Sequence, residues 1–305
     1  MICNITQEDV ERHLPTAVDA TAEIFEALKP MLETADRRLS MDVVDPDTAQ
    51  QLADLFEAGV PGTPLPRTPY VVSATIDNIV EEWKATAINE AFAAAIPKLD
   101  LVMTQNGFGV VQTQQIAPAS KDRVAALRRA CLVSAAQHYD LLLLSLAGCA
   151  ETKPLALKSS TWLYATDHFI RTVGECRAVA TRNDQEPEDW TLADLWAWRP
   201  RIETAEFDIE AYIGKDERDA LISAMRESTV DAHQEHAIRR IRALISAMIG
   251  FDIYAKTGVR QSIEELVGYM EQNLDSFQPY MNSKEYRARH AERYQNKTDD
   301  PCYFF

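Results

Sequence analysis

The stretch SATIDNIVEEWKATAINEAFAAAI, residues 73–96, decides the fold class. Ile76, Ile79, Val80, Trp83, Ala87, Ile88, Phe92, Ala95 and Ile96 recur at helical spacing, so an α-helix gathers them on one stripe, with Ser73 or Thr75 placed to cap it. Upstream, helical patterns run over 18–39, with a bend near Pro30, and over 48–58. Between these and the central helix lies GVPGTPLPRTPY, residues 59–70, whose four prolines and two glycines forbid regular structure and predict an extended loop.

Downstream the period changes. In KLDLVMTQNGFGVVQTQQIAPASKDRVAALRRA, residues 98–130, Asn106-Gly107 stands between apolar runs. A type I′ turn needs positive φ at both central residues, which this pair tolerates, so a β-hairpin over about 99–113 is expected. That turn pairs Gln105 with Phe108, Met103 with Val110 and Val102 with Val111, leaving Leu101, Met103, Phe108 and Val110 on one face. A lone two-stranded ribbon is marginal in water, so that face lies either on the central helix or on another chain, as an assembly arm. Ser120 then caps a helix with Asp122 in its first turn, and Gly148 is its expected stop.

The segment ETKPLALKSS marks a domain boundary near 150–158, and helices follow near 159–182, 191–198, 201–213, 215–227, 230–249, 262–274 and 283–295. The expected architecture is mainly α: a helical domain with one β-hairpin over 1–150, and an all-helical domain over 151–305 that ends in an aromatic tail. A weak internal echo links LDLVMTQNG at Leu99 with FDIYAKTG at Phe251, too short to establish duplication.

Composition narrows the function classes. At 46% hydrophobic and 26% charged the chain is globular, and its longest dense apolar run, 141–147, is far too short to span a bilayer. The start MICNITQEDVERHLP lacks the pattern of a secretory signal, so synthesis and folding in the cytoplasm are expected. A net charge of −16 repels phosphate backbones, so neither nucleic acid nor membrane is an expected partner. Cys3, Cys131, Cys149, Cys176 and Cys302 are odd in number and scattered without a Cys-x-x-Cys pair, which predicts reduced, mostly buried thiols.

Catalytic and metal motifs are weak. His233 and His236 stand one helical turn apart near Asp231 and Glu235, but a metal needs further ligands, and neither His-Glu-x-x-His nor Glu-x-x-His is present. Asp167 beside His168 is not a catalytic pair by adjacency, because neighbouring helical residues point apart. Ten glycines form no phosphate loop and no nucleophile elbow. No catalytic residue, metal or cofactor is therefore assigned. Trp190, Trp196 and Trp198 fall within nine residues and serve either as a small core or as a partner-binding face. At the other end Asn282 with Glu285 resembles a capping pair, and Tyr303, Phe304 and Phe305 make an aromatic terminus expected to dock on its own domain or on a partner.

The residues Leu99-Asp100-Leu101-Val102, Thr104, Gly107-Phe108, Val110-Val111, Ala117-Pro118-Ala119-Ser120-Lys121, Arg123 and Leu127 resemble the pattern of an uncharacterised family encoded among virion structural genes of phages and prophages of gut Bacteroidales. The resemblance implies a non-enzymatic virion component, a head-to-tail connector or adaptor that assembles as a ring with itself or with other virion proteins. It supplies no catalytic residues. On this reading the interaction residues are Met103, Asn106, Gly107, Phe108, Trp190, Trp196, Trp198, Tyr303, Phe304 and Phe305. The alternatives are a cytoplasmic protein-binding scaffold using the tryptophan segment, and a metal-dependent enzyme built on His233 and His236.

Overall fold

The computed structural model of the chain describes residues 2–14, 22–99, 102–104, 107–109, 120–181, 189–250 and 256–291. The fold is mainly helical. The first half holds α1 (Gln7–His13), α2 (Ala22–Val43), α3 (Pro46–Glu57), α4 (Ile76–Leu99), α5 (Lys121–Ser145), α6 (Lys153–Ala156) and α7 (Ser160–Ala165). The second holds α8 (Val173–Thr181), α9 (Leu192–Ile213), α10 (Lys215–Glu227), α11 (Ala232–Ile249), α12 (Lys256–Glu271), α13 (Gln278–Met281) and α14 (Lys284–Arg289).

Helix α4 is the axis of the first half and packs against both α2 and α5. Its cap is Thr75, whose hydroxyl accepts from the Asn78 amide at 3.2 Å while Asn78 Oδ1 accepts from the Thr75 amide at 3.1 Å. Burial goes beyond the apolar stripe: Ala85, Thr86 and Asn89 are buried as well as Ile79, Trp83 and Ile88. Thr86 and Asn89 tolerate this because each donates to a carbonyl one turn back, Glu82 O at 2.7 Å and Ala85 O at 2.9 Å. Each fully buried Ile or Trp contributes on the order of 2 kcal/mol, so α4 alone anchors much of this core.

Buried side chains form two clusters. One runs from Cys3 to Ala165, and the other from Phe169 to Tyr280 with Tyr70 and Ala136 added from the first half. The change falls at 165–169, and the 150–158 segment packs within the first cluster through Ala156, Leu155 and Leu157. Four of the cysteines, Cys3, Cys131, Cys149 and Cys176, are unpaired and buried. Among the described residues no helix is long and apolar enough to cross a membrane.

Several expectations need correction. Of the hairpin expected over 99–113, Leu99 instead closes α4, and among the described residues β1 (Val102–Thr104) pairs antiparallel with β2 (Gly107–Gly109). The register is Val102 to Gly109, Met103 to Phe108 and Thr104 to Gly107. Gly107, expected in the turn, is therefore a strand position paired with Thr104, and Met103 faces Phe108. Register in so short and glycine-containing a ribbon is only weakly specified by its pattern. Positions 100–101, 105–106 and 110–119 lie outside the described residues. The single helix expected over 159–182 is two, broken by 166–172, whereas the two expected at 191–198 and 201–213 are one helix passing through Pro200. Pro200 lies on the exposed side of that helix. The last described helix is capped by Ser283, not Asn282, and ends at Arg289; the tail with Tyr303, Phe304 and Phe305 lies outside the described residues, as does Phe251.

Candidate functional site

Three pieces of the first half make one unit: the proline loop 60–75, the antiparallel α4–α5 pair, and the turn after α5. The loop crosses the C-terminal end of α5 and is bonded there along its length. Gly148 O accepts from Leu65 N at 2.8 Å and Ala74 N at 3.3 Å, and Ala150 N donates to Thr63 O at 2.9 Å. Thr63 also donates through its amide and hydroxyl to the two Glu151 oxygens at 2.7 and 2.9 Å, and the Cys149 thiol donates to Glu151 at 3.0 Å. These donors hold the Glu151 carboxyl down at about 2, the Cys149 thiol first among them. Glycine is required at 148 because a Cβ there would fall 1.7 Å from Val72 O, and at 62 because φ is +72°.

With its base locked, the α4–α5 pair carries residues 100–120 at its other end, roughly 35 Å away at 1.5 Å per residue. Arg128 Nε donates to Ala93 O at 3.2 Å and ties the two helices near that end. The first turns of α5 stay open: Lys121, Arg123, Ala125, Ala126, Arg128 and Arg129 are exposed, while Val124 and Leu127 pack on the core. Met103, Gly107 and Phe108 are strand positions at this tip, and Asn106 lies outside the described residues.

The locked base also joins the two clusters, through the break at 166–172. Arginines on three helices of the second half converge on its backbone: Arg199 donates to Ile170 O at 3.0 Å, Arg218 to Asp167 O at 2.6 Å and Arg242 to Phe169 O at 2.8 Å. Glu206 is buried and accepts from Phe169 N at 2.7 Å, with His168 Nδ1 2.9 Å from its other oxygen. Arg171 donates to Tyr70 O at 3.1 Å, and Arg171 and Arg242 lie over the Tyr70 ring at 5.9 and 5.4 Å. Burial would raise the Glu175 carboxyl, but the guanidiniums of Arg171 and Arg242 overcome it and hold it at about 2. Asp140 on α5 accepts from Val173 N at 2.9 Å and Gly174 N at 2.7 Å, capping α8 from outside; its burial outweighs those bonds and pushes it up to about 7. Buried charge held by these partners fixes the backbone of a segment that the helical period reads as continuous helix, although Arg171 Nε itself is buried with no hydrogen-bond partner.

Two of the three tryptophans pack together. Trp190 is buried, its ring 5.8 Å from that of half-buried Trp198, while Trp196 is 37% exposed. His233 and His236 both meet Tyr269: His233 Nδ1 lies 2.9 Å from the Tyr269 hydroxyl, and the His236 ring is 4.5 Å from the Tyr269 ring. His236 Nε2 accepts from Arg240 Nε at 2.9 Å, which occupies the lone pair a metal would need. No group of three or more His, Cys, Asp or Glu side chains suited to a metal occurs among the described residues. An open groove of about 800 Å³ lies along α2 and α3, with Met41, Val44, Pro46 and Ala49 in its wall. Its buried carboxylate, Asp36, is engaged by Trp83 Nε1 at 2.9 Å and Ile2 N at 3.0 Å.

A model of a family of unknown function (DUF6712) matches residues 60–155. Those limits coincide with the locked unit, from the start of the proline loop to the turn after α5. No curated protein and no solved structure matches the chain. Sequence reasoning missed the lock and the joint because both are built across long separations, 88 residues for Thr63–Glu151 and 101 for Tyr70–Arg171. The available signal was the arginines recurring on otherwise apolar helix faces.

Proposed function

We propose that this chain is a non-enzymatic structural protein of a phage or prophage virion, acting through protein–protein contacts as a head-to-tail connector or adaptor. The observation that carries the reading is that the residues of the resemblance, 99–130, coincide with one end of the α4–α5 pair, opposite its locked base. A helix pair clamped at its base and cross-braced to a second helical cluster is a rigid bracket for the segment at its tip. The exposed first turns of α5 give that tip a basic, small-residue surface on an otherwise acidic chain. The 100–119 segment, with Met103, Asn106, Gly107 and Phe108, is then the assembly arm, and the chain is made in the cytoplasm and carried into the particle. Mass spectrometry of particles purified from an induced lysogen encoding the chain tests this. The chain should be present at a fixed copy number relative to portal protein, and its absence from intact particles would reject the proposal.

A further inference from the structure

Glu217 on α10 is wholly buried, yet no positive charge answers it. Its Oε2 accepts from Tyr280 N at 2.9 Å, its Oε1 has no hydrogen-bond partner, and among the described residues no cation pairs with it. An ionised carboxylate placed so is costly, and the carboxyl is at home there only with its proton. The surrounding helices add negative charge. Asp231, the N-cap of α11, acts on Glu217 through space, Glu271 of α12 accepts from the Tyr280 hydroxyl at 3.1 Å, and Glu285 of α14 stands against Gly214 at the start of α10. Glu210 on α9 approaches Arg218, and that guanidinium is also engaged by Asp167 and Glu206; Lys215 and Asp216, on the same turn as Glu217, are exposed.

The bond to Tyr280 N falls in the first turn of α13 and divides a firmly held side from a lightly held one. Helix α10 is fixed to the joint by its arginines: Arg218 donates to Asp167 O at 2.6 Å, and Arg226 donates to Leu163 O and to Thr166 Oγ1. The α13–α14 segment packs on α10 and α9. Its further ties are the Tyr280 hydroxyl on Glu271 and Arg289 on Glu264 and Glu271 at 2.6 and 3.1 Å, ion pairs near the surface that contribute little. We infer that α13–α14 is a proton-dependent latch on the second cluster, closing with uptake of a proton at Glu217 and loosening locally when that proton leaves. Opening withdraws Tyr280 from the cluster together with Tyr286, whose ring lies 5.5 Å from its own. This stands independently of the virion reading, since it uses only the burial and bonding of Glu217 and of the segment it holds.

Hydrogen exchange of the full chain, read by mass spectrometry and corrected for the intrinsic effect of pH, tests the inference. Burial pushes the Glu217 carboxyl up to about 7 from an ordinary 4.5, so between those values the proton is held when the latch is closed and shed when it opens. Loss of one proton on opening makes the protection of 278–290 fall about tenfold per pH unit between about 5 and 6.5, from a level already below that of α4. Glu217→Gln keeps the shape without the titration and should flatten that fall, and Glu217→Met serves if the glutamine variant does not fold. His290 Nε2 stands 3.9 Å from Glu271, an attraction present only when the ring is protonated and of the same sign, so His290→Asn must leave the fall in place. Protection of 278–290 equal to that of α4, a wild-type segment indifferent to pH, a fall that survives loss of the Glu217 carboxyl, or one abolished by His290→Asn would each overturn the inference.

Discussion

Replacing Gly148 by Ala should damage the fold far more than the addition of one methyl group suggests. The new Cβ would lie 1.7 Å from Val72 O, a backbone atom that cannot rotate away, so the loop and the end of α5 must part by more than an ångström. That movement loosens the two bonds to Gly148 O, from Leu65 N and Ala74 N, and the nearby bond from Val72 N to Leu144 O. At about 1 kcal/mol net for each bond, with an added cost for amides left unpaired, the loss is roughly 3–5 kcal/mol. Two other glycines calibrate the estimate. Gly62→Ala meets Ile76 at 2.8 Å with φ at +72° and should fall below Gly148→Ala, while Gly59→Ala, at φ +61° with nothing within 4 Å, should cost only about 1 kcal/mol for its backbone conformation. Urea unfolding followed by far-ultraviolet circular dichroism gives all three. A Gly148→Ala protein no less stable than Gly59→Ala would refute the lock.

Trp83→Phe removes the indole N–H from buried Asp36 and should cost about 2–3 kcal/mol in the same assay; a neutral result would remove that bond from the account. Glu217 is buried with one oxygen accepting from Tyr280 N, and its burial pushes it up to about 7 from an ordinary 4.5. The folded chain therefore holds that proton more tightly than the unfolded chain. The resulting stability is complete below pH 4.5 and is lost as pH rises toward 7, on the order of 3 kcal/mol relative to Glu217→Gln. Parallel stability–pH curves for the two proteins across that window would contradict it. Exhaustive chelation should leave the melting curve unchanged, since His233 and His236 are engaged by Tyr269 and Arg240; a loss restored by one metal would promote the enzyme alternative.

Helix α4 was legible because every apolar position of its stripe that sets the period, from Ile76 to Ile96, is buried or packed on the core. So were the Ser120 cap of α5 and the separation of α9 from α10 at Gly214, where φ is +84°. What escaped was either long-range or contrary to local rules. Gly148 reads as a helix stop, but the helix ends three residues earlier at Ser145, and the glycine is needed for close approach of another backbone. The break at 166–172 has no proline or glycine to announce it; carboxylates and guanidiniums from α5, α8, α9, α10 and α11 fix it. Pro200 split α9 in the sequence reading, whereas the helix runs through it. Of the proposed interaction residues, Trp190 and Trp198 pack on one another, Trp196 is exposed, and Met103, Gly107 and Phe108 take strand register.

The proposal that this chain works by assembly, without chemistry of its own, is tested most directly by native mass measurement of the purified chain, alone and mixed with candidate portal and tail proteins. The account predicts a stoichiometric complex with one of them that is lost when residues 100–119 are replaced by a short linker and the helical content is retained. Persistence of the same complex without that segment, or no complex with any virion protein, would contradict it.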